Sequence, residues 1–278
     1  MSSPRIAMLG LGSMNGAILA GLISSGVRPD DVTATTRSAA SAEDKAHHYG
    51  VEVLAEETQQ AANAAAVAEA DVVVLGVKPY QITGVCEEIA SALRPQAVVV
   101  SVAAAVTVDM MESALTSGQP VIRAMPNTPM SVGLGVVGLA AGTHATDEHL
   151  EQVSGLFAPS GTVHVLPEEQ IDALSAIAGS GPAYAFYLAE HMAAAGVELG
   201  LDPDLAADLV AQTIHGAGKM LVENRVSADA AQLRAHVTSP NGTTEQAIAT
   251  FDAAAMGQTI RQGAAAAAAR AAEITRSL

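Results

Sequence analysis

The chain has 278 residues, of which 50% are hydrophobic, 15% charged and 3% aromatic, with no tryptophan and a formal net charge of -16. That length suits two domains, the composition is that of a globular chain and not of a disordered one, and alanine and small aliphatics must fill the interior. The charge would repel a phosphate backbone, and with no lysine or arginine cluster to offset it locally, nucleic acid is not an expected partner.

Through the first half, short β-branched runs alternate with longer amphipathic or alanine-rich stretches, the pattern of strand and crossover helix in a parallel sheet. Strands are predicted at residues 5–9, 32–36, 71–76, 97–102 and 121–124, with helices starting near Met14, Ala39, Thr58, Gln81 and Val108. The unbroken apolar runs 72–75 and 97–100 suit strands buried on both faces. After residues 162–166 helical spacing takes over to the C-terminus. The expected architecture is therefore an α/β Rossmann-like dinucleotide-binding domain over 1–166, followed by an all-α domain over 167–278. Pro167 marks the junction, Glu168 and Glu169 open the next helix, Pro182 and Pro203 mark helix beginnings or breaks, and Pro240 lies in a loop before another helix.

The single cysteine, Cys86, excludes an internal disulfide and any cysteine-based zinc site, which fits a reducing cytoplasm. Gly10, Gly12, Gly16 and Gly21 interrupt the apolar N-terminus, making it a poor signal-peptide core. No run reaches the length of a membrane span.

The sequence Gly10-Leu11-Gly12-Ser13-Met14-Asn15-Gly16 follows the first strand and opens a helix, where glycines allow a tight turn and let backbone amides approach a pyrophosphate. Asn15 replaces the third glycine of the usual pattern. At the end of the second strand, where NAD-binding folds carry an acid for the ribose hydroxyls, the chain reads Thr36-Arg37-Ser38. A guanidinium fork flanked by hydroxyls suits a 2′-phosphate, so NADPH is expected over NADH, with NADH as the alternative. Gly76, Val77, Lys78 and Pro79 lie at the carboxyl edge of the next long strand, where open α/β sheets bind ligands. Val102, Ala103 and Ala104 follow the strand after that, small enough to let a nicotinamide or ribose reach the backbone, although packing alone also accounts for small residues there.

Taken in order, Val77-Lys78-Pro79, Met125-Pro126-Asn127-Thr128-Pro129, Ile171-Asp172-Ala173, Gly179-Ser180-Gly181-Pro182-Ala183-Tyr184 and Ser239-Pro240-Asn241-Gly242-Thr243-Thr244 resemble the pyrroline-5-carboxylate reductase family along essentially the whole chain. The resemblance implies hydride transfer from NADPH to the imine carbon of 1-pyrroline-5-carboxylate, giving L-proline. It implies that residues 10–15, Arg37, Asn63, residues 76–79 and Val102 to Ala104 hold the cofactor. It places the substrate near Glu168, Ser175 and the loop carrying Val237, Ser239, Gly242, Thr243 and Thr244. It also implies homodimers interlocked through the helical domain, often associated into larger rings, with substrate groups drawn from a neighbouring subunit. The chain departs from the family at Asn15, Ala105 and Asn241, each standing for a glycine, and at Ser175, where threonine is common.

A protonated imine is far more electrophilic than a neutral one, so the protein must orient the ring and tolerate positive charge while the cofactor performs the chemistry. The loop 239–244 precedes a helix, and its amides and hydroxyls form a cradle for the substrate carboxylate; an ordinary helix cap by Thr243 or Thr244 is the plain alternative. Ser175 either orients substrate or back-bonds to its helix, and Thr244 orients the imine or caps. Glu168 either meets the ring nitrogen or only complements a helix start. The eight histidines show no metal-binding spacing, and His47 and His48 belong to an exposed helix. A 3-hydroxy-acid dehydrogenase would need a lysine base on the first long helix after the sheet, and residues 171–200 contain no lysine. A cofactor-binding protein without turnover is disfavoured by the intact hydroxyls of Ser239, Thr243 and Thr244.

Overall fold

The computed structural model describes residues 4–278. Its contacts divide the chain into two compact units, the chain through Gly179 together with Ala268–Leu278, and Ser180–Ala267.

The first unit is built on an eight-stranded sheet of order β3-β2-β1-β4-β5-β6-β7-β8. The strands are β1 (Ile6–Leu9), β2 (Val32–Thr36), β3 (Glu52–Ala55), β4 (Val72–Leu75), β5 (Val98–Ser101), β6 (Val121–Pro126), β7 (Gly135–Ala141) and β8 (Gly161–Val165). Between them run α1 (Ser13–Ser24), α2 (Ala39–Tyr49), α3 (Ala62–Val67), α4 (Ile82–Ile89), α5 (Val108–Ala114) and α6 (Asp147–Phe157). β4 pairs in parallel with β1 and β5, Val72 opposing both Ile6 and Val98, and all four of its residues are fully buried. Because side chains alternate across a strand, Val72 and Val74 join the cluster under α1 and α6 with Met8, Ile18, Ile122 and Phe157. Val73 and Leu75 join the opposite cluster with Ile82, Cys86, Ile89 and Met111 from α4 and α5.

Beyond the five predicted strands the sheet has three more, β8 on the residues where the pattern changes to helical and β3 and β7 without any counterpart in the sequence expectation, and the all-parallel pattern needs one correction. β3 was not anticipated because Glu52 at its start is exposed and only Ala55 is buried, as suits an edge strand. β7 runs antiparallel to β6, with Arg123 opposite Ala140, and β8 returns parallel to β7. Gly135 and Gly138 hid β7 from propensity; a Cβ on Gly138 would meet Leu174 Cδ1 at 2.7 Å. The helix expected from Thr58 begins at Ala62, after Ala61 takes a left-handed φ of 59° at its N-cap.

After β8 the chain enters α7 (Ile171–Leu174) and a π-helical turn, Ser175–Gly179. Ile171 is fully buried against the sheet, so the segment 168–179 stays with the first unit, although the sheet itself ends near the expected division at 166/167.

The second unit comprises α8 (Gly181–Glu198), α9 (Pro203–Asn224), α10 (Ala230–His236), α11 (Thr243–Ala253) and most of α12 (Met256–Ser277). Pro182 and Pro203 sit in the first turns of α8 and α9, where their missing N–H costs nothing. Asp202 Oδ1 caps α9 by accepting from Asp204 N–H at 3.0 Å. Of the described residues from 180 to 267, only Ala206 is buried.

Phe157 is the largest fully buried side chain of the first unit. Phe157→Ala is expected to destabilise that unit by about 3–5 kcal/mol, read as a lowered denaturant midpoint for loss of sheet signal. A loss below about 1 kcal/mol would mean that the cluster around it closes the cavity.

Candidate active site

The β1–α1 turn is shaped by one left-handed residue and one short side chain. Gly10 has φ +76°, and a Cβ there would meet Val77 Cγ1 at 2.7 Å. Thr35 Oγ1 accepts from Gly10 N–H at 3.2 Å and donates to Asn63 Oδ1 at 2.8 Å. Asn63 Nδ2 in turn donates to Glu88 Oε2 at 3.1 Å and Glu56 Oε1 at 3.4 Å. Asn63 is therefore a buried brace beneath the turn. The N-cap of α1 is Gly12, which brings no side chain, so the first-turn amides keep their donors for an anion.

A cavity of about 260 Å³ opens there, lined by Gly10, Leu11, Gly12, Thr36, Arg37, Ser41, Glu56, Gly76, Val77, Lys78 and Gln81. It joins the carboxyl ends of β1, β2 and β4 at the point where the strand order reverses, the place where open α/β sheets bind nucleotides. The glycine turn, the uncapped helix start, Arg37 and Lys78 fit a dinucleotide phosphate group. Of the other cofactor residues named from sequence, Ser13 is exposed and Met14 half-buried on the first turn of α1, and Pro79 is half-buried beside the cavity. Ser38 Oγ accepts from Ser41 N–H at 3.3 Å as the N-cap of α2. Val102 and Ala103 are buried after β5, while Ala104 is exposed.

Asn15 lies within α1 at 1% exposure, its Nδ2 donating to the carbonyls of Leu9 and Gly10, both at 3.3 Å. Its carboxamide fills the space a Cβ on Gly76 would take. Left-handed tolerance therefore explains Asn241, at φ 61°, and not Asn15. Ala105, also standing for a family glycine, is held at φ 66°, a conformation that costs a β-carbon-bearing residue on the order of 1 kcal/mol.

Within the sheet, Arg123 of β6 is 4% exposed and bridges two carboxylates, Glu168 Oε1 at 3.2 Å and Asp172 Oδ1 at 3.1 Å. Glu168 Oε1 also accepts from Val108 N–H, at the start of α5, at 2.8 Å. Glu168 thus has structural partners that its reading as a helix-start acid did not include. Asn127 Nδ2 donates to Ala178 O at 2.9 Å and its Oδ1 accepts from Val136 N–H at 2.8 Å, tying the π turn to β6 and β7. Ser175 opens that π turn, half-buried; such turns recur at functional sites. Arg123, Asn127, Ser41, Glu56 and Gln81 were not assigned from sequence. A charged residue inside the apolar run 121–124 was the one available signal for Arg123.

In the second unit, Val237, Ser239 and Thr243 are exposed, and Gly242 and Thr244 half-buried. Gly242 is the N-cap of α11, with no side-chain bond, which removes the expectation that Thr243 or Thr244 caps that helix. Glu245 Oε2 instead reaches back to Asn241 N–H at 2.7 Å. Cys86 is fully buried in the cluster beneath α4 and α5, and burial, and then Glu87, push its thiol up to about 12. Among the described residues no group of three or more His, Cys, Asp or Glu is placed to hold a metal, and no helix is long and apolar enough to cross a membrane.

A doubly wound sheet with a phosphate-binding turn at its switch point, followed by a helical unit, defines a two-part nicotinamide-dependent oxidoreductase. Residues 5–105 match the family model described as NADP oxidoreductase coenzyme F420-dependent, and residues 168–274 match pyrroline-5-carboxylate reductase dimerisation. The chain is similar to the pyrroline-5-carboxylate reductase of Pseudomonas aeruginosa, 40% identical over all of this chain and 99% of that one. It is likewise 40% identical to that of Mycobacterium tuberculosis over 88% of each chain. The fold matches a pyrroline-5-carboxylate reductase structure from Coxiella burnetii with a TM-score of 0.90 at 35% identity, covering 98% of both chains. It also matches a Plasmodium falciparum pyrroline carboxylate reductase with NADP bound, at a TM-score of 0.84 and 24% identity, again over 98% of both. The chain belongs to the pyrroline-5-carboxylate reductase family.

Arg123→Ala would leave Glu168 and Asp172 without their shared cation. The expected loss is roughly 2–4 kcal/mol, moderated because both carboxylates are about a third exposed. Equilibrium unfolding of Arg123→Ala beside Arg123→Met measures it, and a change within 0.5 kcal/mol (order of magnitude for a surface site) would show the bridge to be idle.

Proposed function

We propose that the chain reduces 1-pyrroline-5-carboxylate to L-proline, the final step of proline biosynthesis, with NADPH as the preferred donor and NADH as an alternative. Full-length similarity at 40% identity carries this reading, together with the cavity that Gly10, Gly12, Arg37 and Lys78 line. When bound, the reduced nicotinamide supplies a hydride to the imine carbon, and the ring nitrogen keeps its proton as the product amine forms. Residues 10–15, 36–38, 63, 76–79 and 102–104 hold the donor, by backbone amides at the α1 start and by Arg37 and Lys78 on phosphate. Asn63 acts by bracing Thr35 beneath Gly10.

The first-turn amides of α11 and the hydroxyls of Ser239, Thr243 and Thr244 take the substrate carboxylate, with Val237 lending apolar contact. The free role of the Thr244 hydroxyl, since Gly242 already serves as the N-cap, supports binding over capping. Ser175 orients the imine from the π turn. Glu168 accepts from the protonated ring nitrogen through Oε2, since Arg123 and Val108 both use Oε1.

The same reading makes residues 167–278 the dimerisation and substrate domain. It is supported by the match to a dimerisation model and by exposed apolar side chains such as Phe186, Tyr187, Met220 and Val222 in a unit that buries only Ala206. We place the enzyme in the cytoplasm as a homodimer, with dimers assembling into a ring.

Steady oxidation of NADPH with 1-pyrroline-5-carboxylate, set against reduction of NADP by a 3-hydroxy acid, tests the reaction; turnover only with the hydroxy acid would overturn it. Arg37→Ala is expected to weaken NADPH by about 1.5–3 kcal/mol, roughly tenfold to a hundredfold, and NADH far less. Equal losses for both would remove Arg37 from the 2′-phosphate. Thr244→Ala is expected to lower turnover per folded site at unchanged NADPH affinity, because near-attack geometry is lost. A lowered melting temperature with intact turnover would leave Thr244 a purely structural role.

A further inference from the structure

Resting on the cofactor assignment above, we infer that Glu56 and Glu57 are specificity-determining residues that oppose the 2′-phosphate Arg37 attracts, so that NADH competes better than Arg37 alone would allow. The two acids follow β3 directly, in a turn whose backbone stays bonded to the end of β2. Glu56 N–H donates to Thr36 O and Glu57 N–H to Arg37 O, both at 3.0 Å. Both glutamates are thereby fixed beside the loop that receives the adenosine ribose.

The Glu57 carboxylate already fills a role that a phosphate would want. Glu57 Oε2 accepts from Ala39 N–H at 2.9 Å, in the first turn of α2. Ser38 Oγ takes the neighbouring amide of Ser41. Two first-turn amides of α2 are thus already used by Glu57 and Ser38, and a 2′-phosphate must displace the carboxylate to reach Ala39 N–H. Glu56 lines the same cavity as Thr36, Arg37 and Ser41. It is steadied from below by Asn63 Nδ2, which it shares with Glu88. A carboxylate in that position accepts a bond from a ribose 2′-hydroxyl and repels a 2′-phosphate. The crevice therefore holds a cation that favours NADPH and one anion, Glu56, that favours NADH, with Glu57 bonded at the start of α2 beside Ser41 of the lining.

Glutamine at either position keeps the acceptor oxygen for Ala39 N–H or Asn63 and removes only the charge. Each of E56Q and E57Q is therefore expected to tighten 2′,5′-ADP by about threefold to tenfold, with 5′-AMP unchanged or weaker; both carboxylates are exposed and screened, which keeps the effect in that range. Calorimetric titration of the two fragments into the wild-type chain, E56Q, E57Q and the double variant reads this without any turnover, and NADPH and NADH titrations should shift in the same sense. The gain should shrink as salt rises, which a purely structural helix-cap effect would not do. A thermal melt confirms that each variant is folded. Folded variants with an unaltered ratio of 2′,5′-ADP to 5′-AMP affinity would overturn the inference while leaving the reductase reading intact. Failure of the wild-type chain to bind either fragment would take down the cofactor assignment and this inference with it.

Discussion

Burial of β4 on both faces is the constraint on which the first unit depends. Val72, Val73, Val74 and Leu75 have no exposed surface, and each must find a neighbour across β1 or β5 and another on a helix. A parallel pair requires a crossover, so the chain passes through α1 on one face and through α3 and α4 on the other. That winding brings the carboxyl ends of β1, β2 and β4 to one edge, where the loops after them converge. Gly10, Arg37 and Lys78 share a cavity because the strands they follow share a core. The bond from Thr35 to Asn63, buried beneath Gly10, then fixes the turn with a hydrogen bond that burial makes costly to lose.

The second unit answers a different constraint. Its helices are rich in alanine, so they approach closely, as Gly196 does to Ala206, but they carry too little bulk to enclose a core of their own. With Ala206 alone buried, the apolar stripes of α8, α9 and α12 face outward. Helices of this kind gain most of their stability from packing an apolar face and little from propensity. A partner of the same kind would supply that packing, in keeping with the match of residues 168–274 to a dimerisation model.

What the sequence made legible follows from how local each signal is. The apolar runs at 72–75 and 97–100 and the glycine turn at 10–12 carry their structure within a few residues, and the sheet's central strands stand where they were expected. β3 escapes a local pattern because an edge strand needs only one buried residue, here Ala55, and the exposed Glu52 at its start breaks the apolar run. β7 escapes a local pattern because its glycines serve close packing, Gly138 against Leu174 and Gly135 against Met130 and Ser160, contacts that no short window contains. With β3 unseen, Glu56 and Glu57 had no location, and the acids beside Arg37 went unnoticed. Arg123 shows the converse: a cation within an apolar strand announces a buried partner, but the partners lie 45 and 49 residues away.

Substitutions at the turn show the same dependence on distant groups. Replacing a nucleotide-fold glycine by Asn15 is tolerable only where something else gives way, and here Gly76 at the end of β4 has no side chain in the space the carboxamide fills. The donors on Asn15 go to the carbonyls of Leu9 and Gly10, so the residue that breaks the glycine pattern also reinforces the turn the pattern exists to make. Its Oδ1 has no partner within the protein, an unmet acceptor whose desolvation costs on the order of 1–3 kcal/mol. The two donated bonds offset that cost only while β1 and β4 stay in register. Asn15 therefore makes the shape of the crevice depend on the central strand pair, and the glycine turn inherits its rigidity from the core beneath it.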